Sequence, residues 1–453
     1  MQNFVMLAAR SRAVRAISLA LVTIAIGCGG GTPAGDGGDA APPDAVVTDT
    51  NVTDSGPGDG GGSTLAVIVL ENVGAATRPP LAGAMVAFDR PDGSREEVLT
   101  DNMGRATFRN FDWAAGVGAV TIYKTGYYVF SRVGLTSTDA MVTATLARSP
   151  ARRVNLTGMM TGMSMTGETV LMSASIPSDV YRGTGGMYTF AVSENAPYIL
   201  TGVEFVTGTD MVSMRGYTSR LLRWFRLDRP AQTGDGMLDI DLSMAMPVTP
   251  VQFRTSIVLP PASSQLGAMS RANVGVTTID SGYAWGLGYS YRGDVSADGT
   301  TYDTMSERIE PMGLTGRVVT RYTLGRGEML SSVYRLGVPM DGGRIDNLYD
   351  VPNVTAPAAG TPYMVGQPVT VASTPMDAEL FVNIVEADRV VWTITGAVGA
   401  RTIQTPRLPS NADAAALGRF TLRAYAGFCQ PGVADNDPCQ RLAVGTRWIA
   451  MRP

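Results

Sequence analysis

The chemistry this chain offers must be built from carboxylates, hydroxyls, arginines and three cysteines, because its 453 residues include no histidine. That removes the usual general base near neutral pH, every Ser-His-Asp or Cys-His nucleophile system, and the commonest ligand of catalytic zinc. A Ser-Lys pair would have to use Lys124, the only lysine. The spacing reads Lys124 instead as a solvated strand residue. Glu307 and Glu310 are the acids that a carboxylate-based glycoside hydrolase would need, yet such an enzyme is defined by their separation across a cleft. Asp294, Asp298 and Asp303 crowd one loop, as do Asp435, Asn436 and Asp437. Neither set has the spacing of an EF-hand, so both read as plain turns and no metal site is expected. No catalytic residue and no cofactor is expected.

Two groupings suit binding better than catalysis. Tyr283, Trp285, Leu287, Tyr289 and Tyr291 alternate with Ala284, Gly286, Gly288 and Ser290, which by period 2 puts the aromatics on one strand face. Such a face is either core, with the glycine side approached by a neighbouring backbone, or a platform for stacking on sugar rings, with Tyr283, Trp285, Tyr289 and Tyr291 as ligand-binding residues. Arg215, Arg220, Arg223, Arg226 and Arg229 surround Trp224 and Phe225. They read as arginines lying over aromatics and pairing with Asp228, or else as a site for anionic glycans or lipid headgroups. The net charge of -4 argues against nucleic acid as a partner.

The N-terminus places this chemistry. Arg10, Arg12 and Arg15 precede an apolar run, Ala16 to Ile26, too short to span a bilayer as a helix and suited to an export signal. It ends at Gly27-Cys28 after Ala25 and Ile26. This resembles the lipobox of bacterial lipoproteins, with Ala25 where Leu is usual. The resemblance implies that residues 1–27 are removed, that Cys28 is lipidated, and that a membrane is the first partner. Gly29 after the cysteine implies outer-membrane sorting, facing the periplasm or the cell surface. Residues 29–63 hold Gly, Asp, Pro, Thr and Ala with almost no large apolar side chains, a composition that favours a disordered tether. As a Gly-rich coil it would span about 30 Å. Cys429 and Cys439 remain. In an exported protein the two are expected to form a disulfide, and closing so short a loop contributes roughly 2.5–3 kcal/mol in the chain-entropy view.

The elements that must position all this are strands. Hydrophobic residues make up 45% of the chain, ample for packed cores. Leu65 to Glu71 reads as a buried strand, and Gly83 to Phe88 as a second closed by the turn Arg90-Pro91-Asp92-Gly93. Asp101 and Gly104 punctuate a hairpin that aims Ala106 and Phe108 at the core. Gly118 to Tyr127 and Met141 to Leu146 follow. Ala82-Gly83-Ala84 with Val86, the Thr100-Asp101…Gly104…Ala106…Phe108 hairpin and the strand ending in Gly126-Tyr127 resemble the carboxypeptidase regulatory-like (transthyretin-like, CnaB-like) β-sandwiches. The resemblance covers residues 64–148 and implies a stalk, spacer or adhesive module. No isopeptide arrangement around Lys124 is expected.

Beyond Arg148 the pattern stays β. Leu238, Ile240, Leu242 and Met244 alternate with Asp239, Asp241 and Ser243 as in a half-buried strand. Phe253 to Leu259 and Val318 to Leu324 alternate likewise, and Asp-Gly steps at Asp235, Asp298 and Asp341 mark turns. Residues 149–350 form one or two β domains with a split near 260, at Pro260-Pro261. Residues 351–362 read as a linker to a last β domain, 351–453, with a short helical turn at Asn411 to Leu417. The expectation is an all-β chain: tandem β-sandwiches behind a disordered tether, a non-catalytic envelope protein whose further partner is a glycan or another envelope protein.

Overall fold

A computed structural model describes residues 62–72, 78–147, 153–163, 167–173, 180–183, 186–194, 198–209, 217–247, 249, 251–261, 264, 266, 271–280, 283–308, 317–326, 329–337, 339–358, 361–364, 367–386, 389–407, 422–430 and 441–451. Among these the protein is all β, with 31 strands and two short 3-10 turns. No described helix is long and apolar enough to cross a membrane.

Ser63–Asn72 lies between Arg105–Phe111, antiparallel, and Met141–Ala147, parallel, in a three-stranded sheet. Leu65, Val67 and Val69 face inward by alternation, and Phe108, Ala144 and Leu146 join them. This layer packs on Arg95–Leu99, Met85–Asp89, Gly118–Tyr123 and Val129–Leu135, whose Val86, Phe88, Val120, Ile122 and Phe130 complete one core. The result is a two-layer sandwich. Phe88, Phe111 and Trp113 meet edge to face, with Phe111 4.9 Å from each of the other two rings. That geometry adds to the roughly 1.5–3 kcal/mol of burying each large side chain.

The predicted turns carry out their roles. Gly93 donates to the carbonyl of Arg90 at 2.9 Å. Asp101 Oδ1 accepts from the backbone of Met103 and Arg105, both at 2.8 Å, and Gly104 adopts φ 70°. A Cβ on Gly104 would lie 2.3 Å from the carbonyl oxygen of Val69, whereas one on Gly93, at φ 83°, would meet nothing within 4 Å. Gly104→Ala is therefore expected to lose more than about 2 kcal/mol in denaturant unfolding, left-handed strain plus a backbone collision, and Gly93→Ala only about 1.

The sandwich does not end at its own edge. Val129–Leu135 pairs in parallel with Arg389–Val398, Trp392 opposite Val129. This pairing carries a 16-stranded sheet onward through Glu379–Glu386, Leu422–Gln430, Arg441–Met451, Met329–Leu336, Arg317–Arg326, Arg271–Asp280, Tyr283–Val295, Thr301–Arg308 and Val251–Val258 to Gly343–Ile345. The largest core draws on Tyr123 and Val129, on Leu259, Leu324, Tyr349 and Val351, and on Leu380, Ile384, Trp392 and Ile394. Residues 351–358, part of the stretch 351–362 read from its composition as a linker, are built into this body. Val351 is 4% exposed, and Val354–Ala356 pairs with Pro368–Val371.

A second sandwich holds the middle of the chain. Arg153–Thr161 and Gly186–Ser193 in one sheet face Tyr198–Thr209 and Tyr217–Arg229 in another, around Leu156, Tyr188, Val192, Leu200 and Phe225. Tyr217–Arg229 serves two cores. Phe225 points into this one, while Trp224, one residue earlier and so on the opposite face, packs with Phe253, Ile257, Val274, Tyr322 and Val333. The alternation Leu238 to Met244 does not make one strand. Asp241 Oδ1 accepts from the backbone of Ser243 at 2.9 Å, closing a 3-10 turn over Leu242–Met244 that leaves Met244 82% exposed.

Candidate functional site

The residues singled out from the sequence fall in several places. Cys28, Glu310, Arg215, Cys439, Asp435, Asn436, Asp437 and the segment Asn411 to Leu417 lie outside the described residues. Cys429 is 1% exposed on Leu422–Gln430. Lys124 is not a solvated strand residue: it follows Gly118–Tyr123, donates to the carbonyl of Ala82 at 2.6 Å and sits 5.6 Å from the Tyr127 ring.

The aromatic run occupies Tyr283–Val295, which pairs on both sides, with Arg271–Asp280 and Thr301–Arg308. Trp285 stands opposite Thr278 and Tyr289 opposite Gly275, with a register shift between Val276 and Thr277. A second shift, between Ser290 and Arg292, falls at Tyr291. The side chains of Tyr283, Trp285, Tyr289 and Tyr291 lie outside the described ones.

The acidic loop is a turn held by its own aspartate. Asp298 Oδ1 accepts from Ser296 Oγ at 2.6 Å and from the backbone and hydroxyl of Thr300 at 3.0 and 2.9 Å. The Ser296 hydroxyl bond leads the causes that lower its pKa from 3.8 to about 2. A carboxylate depressed in the folded state contributes stability that is present above its unfolded pKa and fades as the pH falls through the folded value. The turn is expected to loosen between pH 4 and pH 2, visible as a carboxyl NMR titration of Asp298 near pH 2. A titration near 3.8 would refute the bonding. Glu307 is buried and accepts from Gln252 Nε2 at 3.2 Å.

The arginine cluster leads to a groove with the size of a ligand site. Arg223 is committed to structure: its Nη1 donates to the carbonyls of Gly162 and Leu242, both at 2.9 Å, and its Nε lies 3.4 Å from Glu204. Arg226 pairs with Asp228 at 2.9 Å. Beyond them the strand end and the loop from Asp239 to Met246 enclose a cavity of about 370 Å³, lined by Trp224, Arg229, Asp239, Asp241, Met244 and Met246 among others. The loop is fixed by aspartates that replace ladder partners. Asp235 Oδ1 accepts from the backbone of Asn155 at 2.8 Å, and Asp239 Oδ1 from Met159 at 2.7 Å. Tyr188 donates to the carbonyl of Leu238, and burial first, then Asp239, raises its pKa, so it stays protonated. Held this way, the groove offers donors, acceptors and thioethers but no nucleophile set beside a base. The sequence pattern hides it, because Asp239 and Asp241 read there as the wet face of a strand.

No protein-family model and no curated protein matches the sequence. Among solved structures, it is similar to the shaft pilin SpaA of Lactobacillus rhamnosus GG at 11% identity, covering 44% of this chain and 99% of that one, with a TM-score of 0.15. BcpA, the major pilin subunit of Bacillus cereus, matches at 8% identity over 56% of this chain and 97% of its own, TM-score 0.17. The full-length major pilin SpaD of Corynebacterium diphtheriae matches at 10% identity over 82% and 87%, TM-score 0.16. Similarity at these scores carries no argument, and the architecture rests on the strand pairing and cores described above.

Proposed function

We propose that this protein is a non-catalytic, lipid-anchored component of a bacterial cell envelope, in which acylated Cys28 and the tether 29–63 hold a β body off the membrane. The observation that carries the non-catalytic part is the use of the buried acids. The four buried glutamates among the described residues are each bound by a neighbouring side chain: Glu71 by Tyr127 at 2.9 Å, Glu204 by Arg223, Glu307 by Gln252, and Glu379 by Arg132 at 2.6 Å. A general acid or base must instead be poised to exchange its proton with a substrate. Anchoring is supported by the run Ala16 to Ile26 ending at Gly27-Cys28, and spacing by the composition up to Ser63, where the first strand begins.

Cys429 pairs with Cys439 in this reading. The strands on either side of their loop are antiparallel neighbours, Gln430 opposite Arg441, which brings the loop's two ends together. Outer-membrane sorting follows from Gly29, and the presented body serves as a spacer or a recognition surface. Cys28→Ser is expected to move the protein from the membrane to the soluble fraction of an exporting Gram-negative host. A variant that fractionates like the native chain would refute the anchor.

A further inference from the structure

Three exposed methionines, one from each of three neighbouring strands, share the outer face of the middle sandwich. Arg153–Thr161 is the central strand, with Gly186–Ser193 on one side and Gly236–Met237 on the other. Along it Val154, Leu156 and Met160 are buried while Asn155 and Met159 are exposed, so even positions face the core and odd positions face solvent. Met187 is the direct antiparallel partner of Met159. Met237 is the parallel partner of Thr157, which lies two residues from Met159 on the same face. Met187, Met159 and Met237 are 77%, 45% and 84% exposed. Opposed Cβ atoms in a sheet lie about 4.5–5.5 Å apart and diagonal ones about 7–8 Å. A methionine side chain is unbranched and turns about three bonds, so its sulfur can swing across such a gap.

The donor type chooses the ion. A thioether sulfur is soft, uncharged and has no proton to lose, and it selects Cu(I), or its analogue Ag(I), over harder divalent ions. The chain has no histidine, so no imidazole extends the set toward Cu(II) or Zn(II). Two exposed carboxylates bracket Met237 in the chain. Asp235 accepts from the backbone of Asn155 at 2.8 Å and Asp239 from that of Met159 at 2.7 Å, which holds both against the central strand. Their negative charge favours a cation at this face over an anionic partner, and an apolar partner covering the face would have to desolvate them. We propose that Met159, Met187 and Met237 form a three-sulfur site for a soft monovalent cation, Cu(I) or Ag(I).

The test is an NMR titration of the full chain with silver nitrate in chloride-free buffer, with carbon-13 in the methionine methyl groups and the thiols alkylated. The methyl signals of Met159, Met187 and Met237 are expected to shift together along one binding curve. Those of Met340 and Met376, 81% and 92% exposed on other parts of the chain, should stay in place. Met159→Leu conserves volume at an exposed position and removes the central sulfur. It is expected to weaken binding at Met187 and Met237 on the order of tenfold or more, the loss that even an outer partner of a metal ligand produces. Met340→Leu should leave the curve unchanged. Shifts no larger than those of Met340, an unchanged curve in Met159→Leu, or an equal response to zinc acetate would each overturn the proposal.

Discussion

Arg132→Ala is expected to destabilise the protein by about 3–5 kcal/mol, with the loss read from the denaturant midpoint. Arg132 Nη1 lies 2.6 Å from Glu379 Oε1, and the glutamate is 2% exposed. The pair joins Val129–Leu135 to Glu379–Glu386, strands separated by more than 240 residues. Removing the guanidinium leaves a carboxylate in the core without its cation, the costly half of the asymmetry between breaking a buried pair and replacing it. The double variant Arg132→Met with Glu379→Gln should therefore recover part of the loss. An Arg132→Ala midpoint within about 0.5 kcal/mol of the native one would mean that the pair does not bind the first segment to the last.

Trp392 makes the same connection through packing. It is fully buried, stands opposite Val129, and donates from Nε1 to Ser131 Oγ at 2.9 Å. Ser131 is in turn 2.9 Å from Thr121 Oγ1, and its carbonyl accepts from Thr395. Trp392→Ala should cost about 3–5 kcal/mol from lost burial and the cavity left behind. Trp392→Phe should cost less, chiefly the unmade bond to a buried hydroxyl, about 1–3 kcal/mol. Equal effects of the two changes would show that the ring, rather than the seam of hydrogen bonds, is what matters.

Alternation in the sequence tells which face of a strand is buried, and here it does so well for Leu65 to Glu71, for Ala106 and Phe108, and for Phe253 to Leu259. It does not tell which strand lies alongside. The parallel pairing of Trp392 with Val129 joins segments that read as separate modules, because nothing local in either strand encodes a partner some 260 residues away. Alternation also fails where one side chain changes the backbone. Asp241 caps a 3-10 turn inside an otherwise regular pattern. The groove was invisible for a related reason. Its walls come from one strand and from a loop that is placed by Asp235 and Asp239 on a third element, Arg153–Thr161. By contrast, the proposed export signal and tether rest on the sequence alone, on length, composition and the position of one cysteine.

In the proposed function this β body lies outside the cytoplasm, held by a lipid. Metabolic labelling with a fatty-acid probe in an exporting Gram-negative host tests that most directly. The native chain should incorporate the probe in a mature form beginning at Cys28, and Cys28→Ser should incorporate none. An unlabelled native chain, or equal label in the variant, would contradict it.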